Sequence, residues 1–135
     1  MKKLVMVLLA SSVLAGCGAG APNVDYEVGE CFRVKNDSRT AIEKVSCDDV
    51  HHGVVFELYE SSVVEFDQNH LDSEAYRLCD IAFEEYVGID AKDSVYNWVA
   101  VTPKRDEWNS GERTVACSVT DPDFAPIDDP EGAGI

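Results

Sequence analysis

Four cysteines, Cys31, Cys47, Cys79 and Cys117, constrain this chain more than any other feature, once Cys17 near the start is set aside. An even number of cysteines in an exported domain is a disulfide framework before it is anything else. Four allow three pairings, and counting alone does not choose among them. Zinc is the competing use, but no two of the four share the C-x-x-C spacing of a structural zinc site.

The start of the chain supplies the export. Lys2 and Lys3 precede an apolar run from Leu4 to Leu14, and Leu14-Ala15-Gly16-Cys17 ends it. A basic start, a short apolar middle and small residues at the cut make an export signal over residues 1–16. The run is about half the ~20 residues that a membrane-spanning helix needs. The small-small-Cys ending resembles the lipobox of bacterial lipoproteins, in which the cysteine thiol receives a diacylglyceryl group and the chain is cut just before it. Two acyl chains on Cys17 would anchor the protein stably to the lipid bilayer. The plainer alternative is a secretory signal that happens to end in cysteine. The expected location is the outer face of the cell membrane.

Removing residues 1–16 of 135 leaves 119, enough for one domain with a real core and too few for two. Loss of Lys2 and Lys3 takes the formal net charge from −15 to −17. Such a surface repels phosphate backbones, which argues against nucleic acid, and it repels anionic headgroups. The folded part should therefore stand off the bilayer on its anchor. Residues 17–25 read as anchor and tether, and the six residues Gly18–Asn23 span typically only ~13 Å.

Residues 26–119 read as the folded domain. Cys31–Val34 forms a strand after a turn at Gly29, with Phe32 and Val34 on one face and Cys31 and Arg33 on the other. Asn36-Asp37-Ser38 is turn material, and Ile42–Cys47 returns as a second strand. Cys31 and Cys47 then lie near the open end of a hairpin, where a bridge would contribute ~3 kcal/mol. Val54, Phe56 and Leu58 alternate with Val55, Glu57 and Tyr59 in a third strand. Residues 61–71 show no period and are expected to form an irregular lid. Asp72 or Ser73 can cap a helix in which Ala75, Leu78, Cys79, Ala82, Phe83, Tyr86 and Val87 recur at helical spacing, and Gly88 ends it. Val95–Val101 is apolar on both faces, which suits a central strand. Asn109-Ser110-Gly111 turns the chain into a last strand in which Val115, Cys117 and Val119 share a face that Arg113 begins. Cys79 and Cys117 both point to the helix–sheet interface, so they pair there, for ~4 kcal/mol. The order β-β-β-α-β-β specifies a small α+β domain: an antiparallel sheet covered by one amphipathic helix and stapled by two disulfides. Residues 120–135 are acidic, proline-bearing and without period, and are expected to be disordered.

Gly29-Glu30-Cys31-Phe32, then Val45-Ser46-Cys47 with His51, Val55-Phe56, Cys79, Trp108-Asn109-Ser110-Gly111-Glu112-Arg113 and Cys117 follow one another in a spacing that resembles the septum formation family. The likeness covers most of residues 28–119. It implies an envelope protein of high-GC Gram-positive bacteria, often a lipoprotein, with a link to division and unidentified envelope or division proteins as partners. It also draws attention to His51, Trp108, Gly111 and Arg113 as binding residues. Val50 and His52 stand where the family usually has a proline and an acidic residue.

Asp48, Asp49, His51 and His52 are the densest ligand set and could bind zinc or copper. The plainer reading is a solvated loop that His51 braces by bonding backbone near Cys47. Arg113 could hold an anionic ligand, or its stem could pack under Trp108 while its guanidinium ties down the turn. Arg33, Lys35, Arg39 and Lys44 form a local excess of positive charge around the first hairpin. G-x-S-x-G, H-E-x-x-H, C-x-x-C and phosphate-cradling glycine loops are all absent from the sequence. The expectation is a binding or scaffolding module that is not an enzyme and uses no cofactor, with metal binding at Asp48–His52 as the alternative.

The leader yields the first test. Cys17→Ser should abolish both acylation and cleavage at this position and leave a larger precursor. Metabolic labelling with a clickable fatty acid reads this out, and labelling that survives the substitution would exclude Cys17 as the acceptor.

Overall fold

The computed structural model describes residues 25–35 and 38–135, without the side chains of 38–41. The leader, Cys17, most of the tether, and Asn36 and Asp37 of the first turn lie outside the described residues.

The strands are β1 (Cys31–Lys35), β2 (Ser38–Val45), β3 (Gly53–Glu60), β4 (Asn97–Val101) and β5 (Thr114–Thr120). They form one antiparallel sheet in the order β2-β1-β3-β5-β4. The helix α1 (Gln68–Val87) lies across one face, and a short α2 (Arg105–Asn109) precedes β5. This is the α+β architecture that the order of elements implies, with α2 added.

Cys31 pairs with Val45 in the β1–β2 ladder, which brings Cys47 back to the hairpin's open end, and Cys31–Cys47 is bridged with its Cα atoms 5.2 Å apart. Cys79 on α1 and Cys117 on β5 are bridged at 5.5 Å, both fully buried. Both expected pairings are present. Two such bonds belong to an oxidising, extracytoplasmic compartment.

Helix α1 begins earlier than its apolar period suggests. Asp67, not Asp72 or Ser73, is the N-cap, and its carboxylate accepts from the amides of Asn69 (2.9 Å) and His70 (3.2 Å). The polar first turn hides this start. Residues 68–71, read as part of a lid, are thus helical. The buried stripe is Leu71, Ala75, Cys79, Phe83 and Val87, a strict i, i+4 row. Gly88 ends the helix at φ +92°, a left-handed conformation that suits glycine.

Three further expectations are corrected. Simple alternation fails in β3, where the register with β5 slips between Val55 and Glu57 and Phe56 is the inserted residue. After this bulge Tyr59 faces Val115 and packs against the core, whereas Leu58 faces Ala116 on the other side of the sheet. Strand β4 is an edge strand, not a central one; β5 takes the inner place and is buried along nearly its whole length. Trp98 and Ala100 of β4 pack on the helix-side core while Val99 and Val101 face the opposite side, so both of its faces are apolar at an edge.

The third correction concerns residues 120–135, which are ordered against the body rather than disordered. Thr120 still belongs to β5. Beyond it Ile127 and Pro130 are buried. The amide of Ile127 donates to the His51 carbonyl (3.0 Å), and those of Gly132 and Gly134 donate to the carbonyls of Tyr86 and Val87 (2.8 Å each). Two apolar pegs and three backbone bonds hold an otherwise acidic strap across the end of α1.

The two bridges should differ in weight. Cys79→Ala/Cys117→Ala removes the buried link between helix and sheet, with ~4 kcal/mol at stake against ~3 for Cys31→Ala/Cys47→Ala. Only the hairpin keeps a backbone ladder in its place. Urea titrations followed by tryptophan fluorescence should place the midpoint of the first variant well below that of the second, and the reverse order would refute this account of the helix.

Candidate functional site

The loop from Ser46 to His52 is tied down by its own polar groups. Asp49 N–H donates to the Ser46 carbonyl (3.0 Å), and His52 N–H donates to the Phe32 carbonyl (2.8 Å). The Val34 amide donates to Nδ1 of His52 at 2.9 Å. Strand β1 meets β3 only through Cys31 and Phe32, so this imidazole satisfies an amide beyond that short ladder. His51 Nδ1 lies 2.9 Å from the Asp49 carbonyl. A carbonyl only accepts, so Nδ1 carries the proton and donates. His51 braces the turn, as the plainer reading of the sequence has it, and its own carbonyl receives the strap. Among the described residues no group of three or more His, Cys, Asp or Glu side chains is arranged to hold a metal ion. Asp48, Asp49, His51 and His52 therefore share a loop without converging on one point.

Between this loop and the strap lies a hollow of about 630 Å³. The Cys31–Cys47 bridge, Asp48, Asp49 and His51 form one wall; Ile127, Asp128, Asp129 and Glu131 form the other; Val54 and Tyr86 lie between. Burial first, and then the carboxylates of Glu131 and Asp129, push the Tyr86 hydroxyl up to about 12. Sequence reasoning missed the whole strap wall. Its one signal was the pair of apolar residues, Ile127 and Pro130, set among acids.

Trp108, Gly111 and Arg113 are at the other end. Gly53 pairs with Thr120 and Glu60 with Thr114, so the His51 loop and the Arg113 turn flank opposite ends of the β3–β5 ladder. Seven residue steps at ~3.3 Å separate them by roughly 23 Å. Trp108 is buried and meets Phe66 edge-on with ring centroids 6.0 Å apart. The Arg113 guanidinium stacks 3.6 Å from the Trp108 ring centre, and its Nη1 donates to the carbonyls of Trp108 (2.8 Å) and Glu112 (2.7 Å). Gly111 takes φ +98° with open space where a Cβ would sit, so the backbone angle explains the glycine. The four residues singled out by family likeness thus form two separate braces and not one site.

The basic residues of the first hairpin are also internally matched. Arg33 and Lys35 pair with Glu43 at 3.5 and 3.8 Å, and Lys44 pairs with Glu30 at 3.0 Å and reaches the Asp25 carbonyl. The Arg39 side chain lies outside the described residues.

The strap makes a prediction that an unattached segment would not. Ile127→Asp forces a carboxylate into the apolar seat and should destabilise the chain by about 2–3 kcal/mol, whereas Ile127→Val should cost about 1 kcal/mol or less. Urea midpoints of the two variants decide this, and indistinguishable midpoints would mean that the strap is not seated.

Comparison with protein families gives one finding: the family model described as Septum formation matches residues 28–128. The match runs from the turn before β1 into the strap, and so includes the loop wall of the hollow and the strap wall as far as Asp128. No curated protein and no solved structure matches the chain.

Proposed function

This chain belongs to the septum formation family, and from that premise we propose that it is an extracytoplasmic binding module of the division machinery, without enzymatic activity and held to the membrane through acylated Cys17. Family membership points to a role related to cell division, and the two disulfides suit the outer side of the membrane.

The observation that carries the binding reading is the hollow between the Cys47–His51 loop and the strap. One wall is covalently braced and the other is hydrogen-bonded to the body, so the concavity exists before any partner arrives. Preformed concave sites lower the ordering cost of association. A scaffold would use such a surface to hold a division protein near the bilayer. Metal binding at Asp48, Asp49, His51 and His52 has weaker support, because His52 Nδ1 and His51 Nδ1 are both taken by backbone groups.

Imaging tests the reading. A fluorescent protein fused after Ile135 should concentrate at the division plane in constricting cells. Uniform signal around the envelope at every stage of the cycle would overturn the division role.

A further inference from the structure

We infer that the free edge of β4 is an interface between two copies of this chain, which pair there antiparallel about a two-fold axis at Val99. Their two five-stranded sheets then run on as one. The inference goes beyond the binding reading above and holds whatever the hollow takes up.

An edge strand presents a row of unpaired amides and carbonyls, and charged residues on it discourage pairing. The two edges of this sheet are built differently. Strand β2 carries Arg39, Glu43 and Lys44, whereas β4, Asn97-Trp98-Val99-Ala100-Val101, carries no charge at all. Its inner side pairs with β5, and α1 packs on one face. Large apolar residues nevertheless stay exposed along it: Tyr76 at the Trp98 ring, Val95 just before the strand and Val101 at its end.

The backbone fixes the register. The Trp98 amide donates to the Asn97 side chain at 2.8 Å, so it points away from β5, and by the two-residue period that of Ala100 does too. Pairing about Val99 is the one two-fold register that matches all five residues. Trp98 of each copy then faces Ala100 of the other as a hydrogen-bonded pair, taking over from the Asn97 side chain. The two Val99 residues become a close non-hydrogen-bonded pair, with Cα atoms ~4.5 Å apart.

Charge selects a second copy as the occupant. Before β4 the chain carries Asp90 and Asp93, which share one lysine, Lys92. After it come Lys104 and Arg105, which among the described residues form no ion pair. Glu107 turns its carboxylate back on the Lys104 amide at 2.7 Å. Antiparallel pairing brings the acidic end of each copy beside the basic end of the other, so the edge is self-complementary, as a two-fold interface requires.

Val99→Cys tests the register, because the opposed positions would lie within disulfide reach. Cells expressing the full-length chain are treated with copper–phenanthroline and blotted after non-reducing electrophoresis. Val99→Cys should give about tenfold more linked dimer than either the unsubstituted chain or Val101→Cys. Val101 is the more exposed of the two positions, yet its two copies would stand four residue steps apart, ~13 Å, beyond a disulfide. Asn97→Cys and Val101→Cys co-expressed should link again, since these positions oppose each other. In sedimentation the purified unsubstituted chain should run as a dimer and Val99→Lys, which sets like charges face to face, as a monomer. Mixing Val99→Lys with Val99→Asp should restore the dimer. Equal linking of Val99→Cys and Val101→Cys would mean random collision. No linking at all would mean that the edge is bare or belongs to another protein. Either result overturns the inference, as would a Val99→Lys chain that sediments like the unsubstituted one.

Discussion

The bond between Cys79 and Cys117 is the contact on which the rest of this domain depends. It joins the middle of the one long helix among the described residues to an inner strand of the sheet, and the buried cluster of Phe56, Phe83, Val87 and Val119 gathers around it. Two of the five residues in the helix's buried stripe are Ala75 and Cys79, so the helix offers little apolar area of its own. A small domain has only a modest surplus of stability, and a covalent link at the centre of its core removes unfolded conformations that side-chain packing would otherwise have to outweigh.

The bulge in β3 adapts that core to its helix. By inserting Phe56, the strand turns an extra aromatic ring toward α1, where it stacks on Tyr86 at 5.4 Å and meets Phe83 edge-on at 6.1 Å. Tyr86 is thereby held where it borders the hollow, and the carbonyls of Tyr86 and Val87 are left to receive the strap. Core and concavity are thus coupled through one helical turn.

Much of this was legible in the sequence, and the exceptions have physical causes. The hairpin, the helix and both cysteine pairings follow from local periodicity and from cysteines placed on facing surfaces. The bulge was hidden because one inserted residue reverses the parity of every side chain after it, and nothing in Val55-Phe56-Glu57 announces the insertion. The edge position of β4 is a property of topology, and an apolar pattern on both faces does not distinguish an edge from a centre. The candidate site was half visible: His51 and its acidic neighbours form a local cluster, while Asp128, Asp129 and Glu131 lie in a segment whose composition resembles a disordered tail. What orders that segment is long-range, namely a seat for Ile127 and carbonyls left over at the end of a helix.

The strap also gives the domain an order of assembly. The two walls of the hollow come from residues 47–51 and 126–131, almost eighty positions apart. A chain is synthesised from its N-terminus, so the helix, the sheet and both disulfides can form from residues already made before the second wall exists. The concavity is therefore completed after the body of the domain, by residues 126–131, and a product that stopped at Thr120 would have the helix, the sheet and both disulfides but only one wall of the hollow.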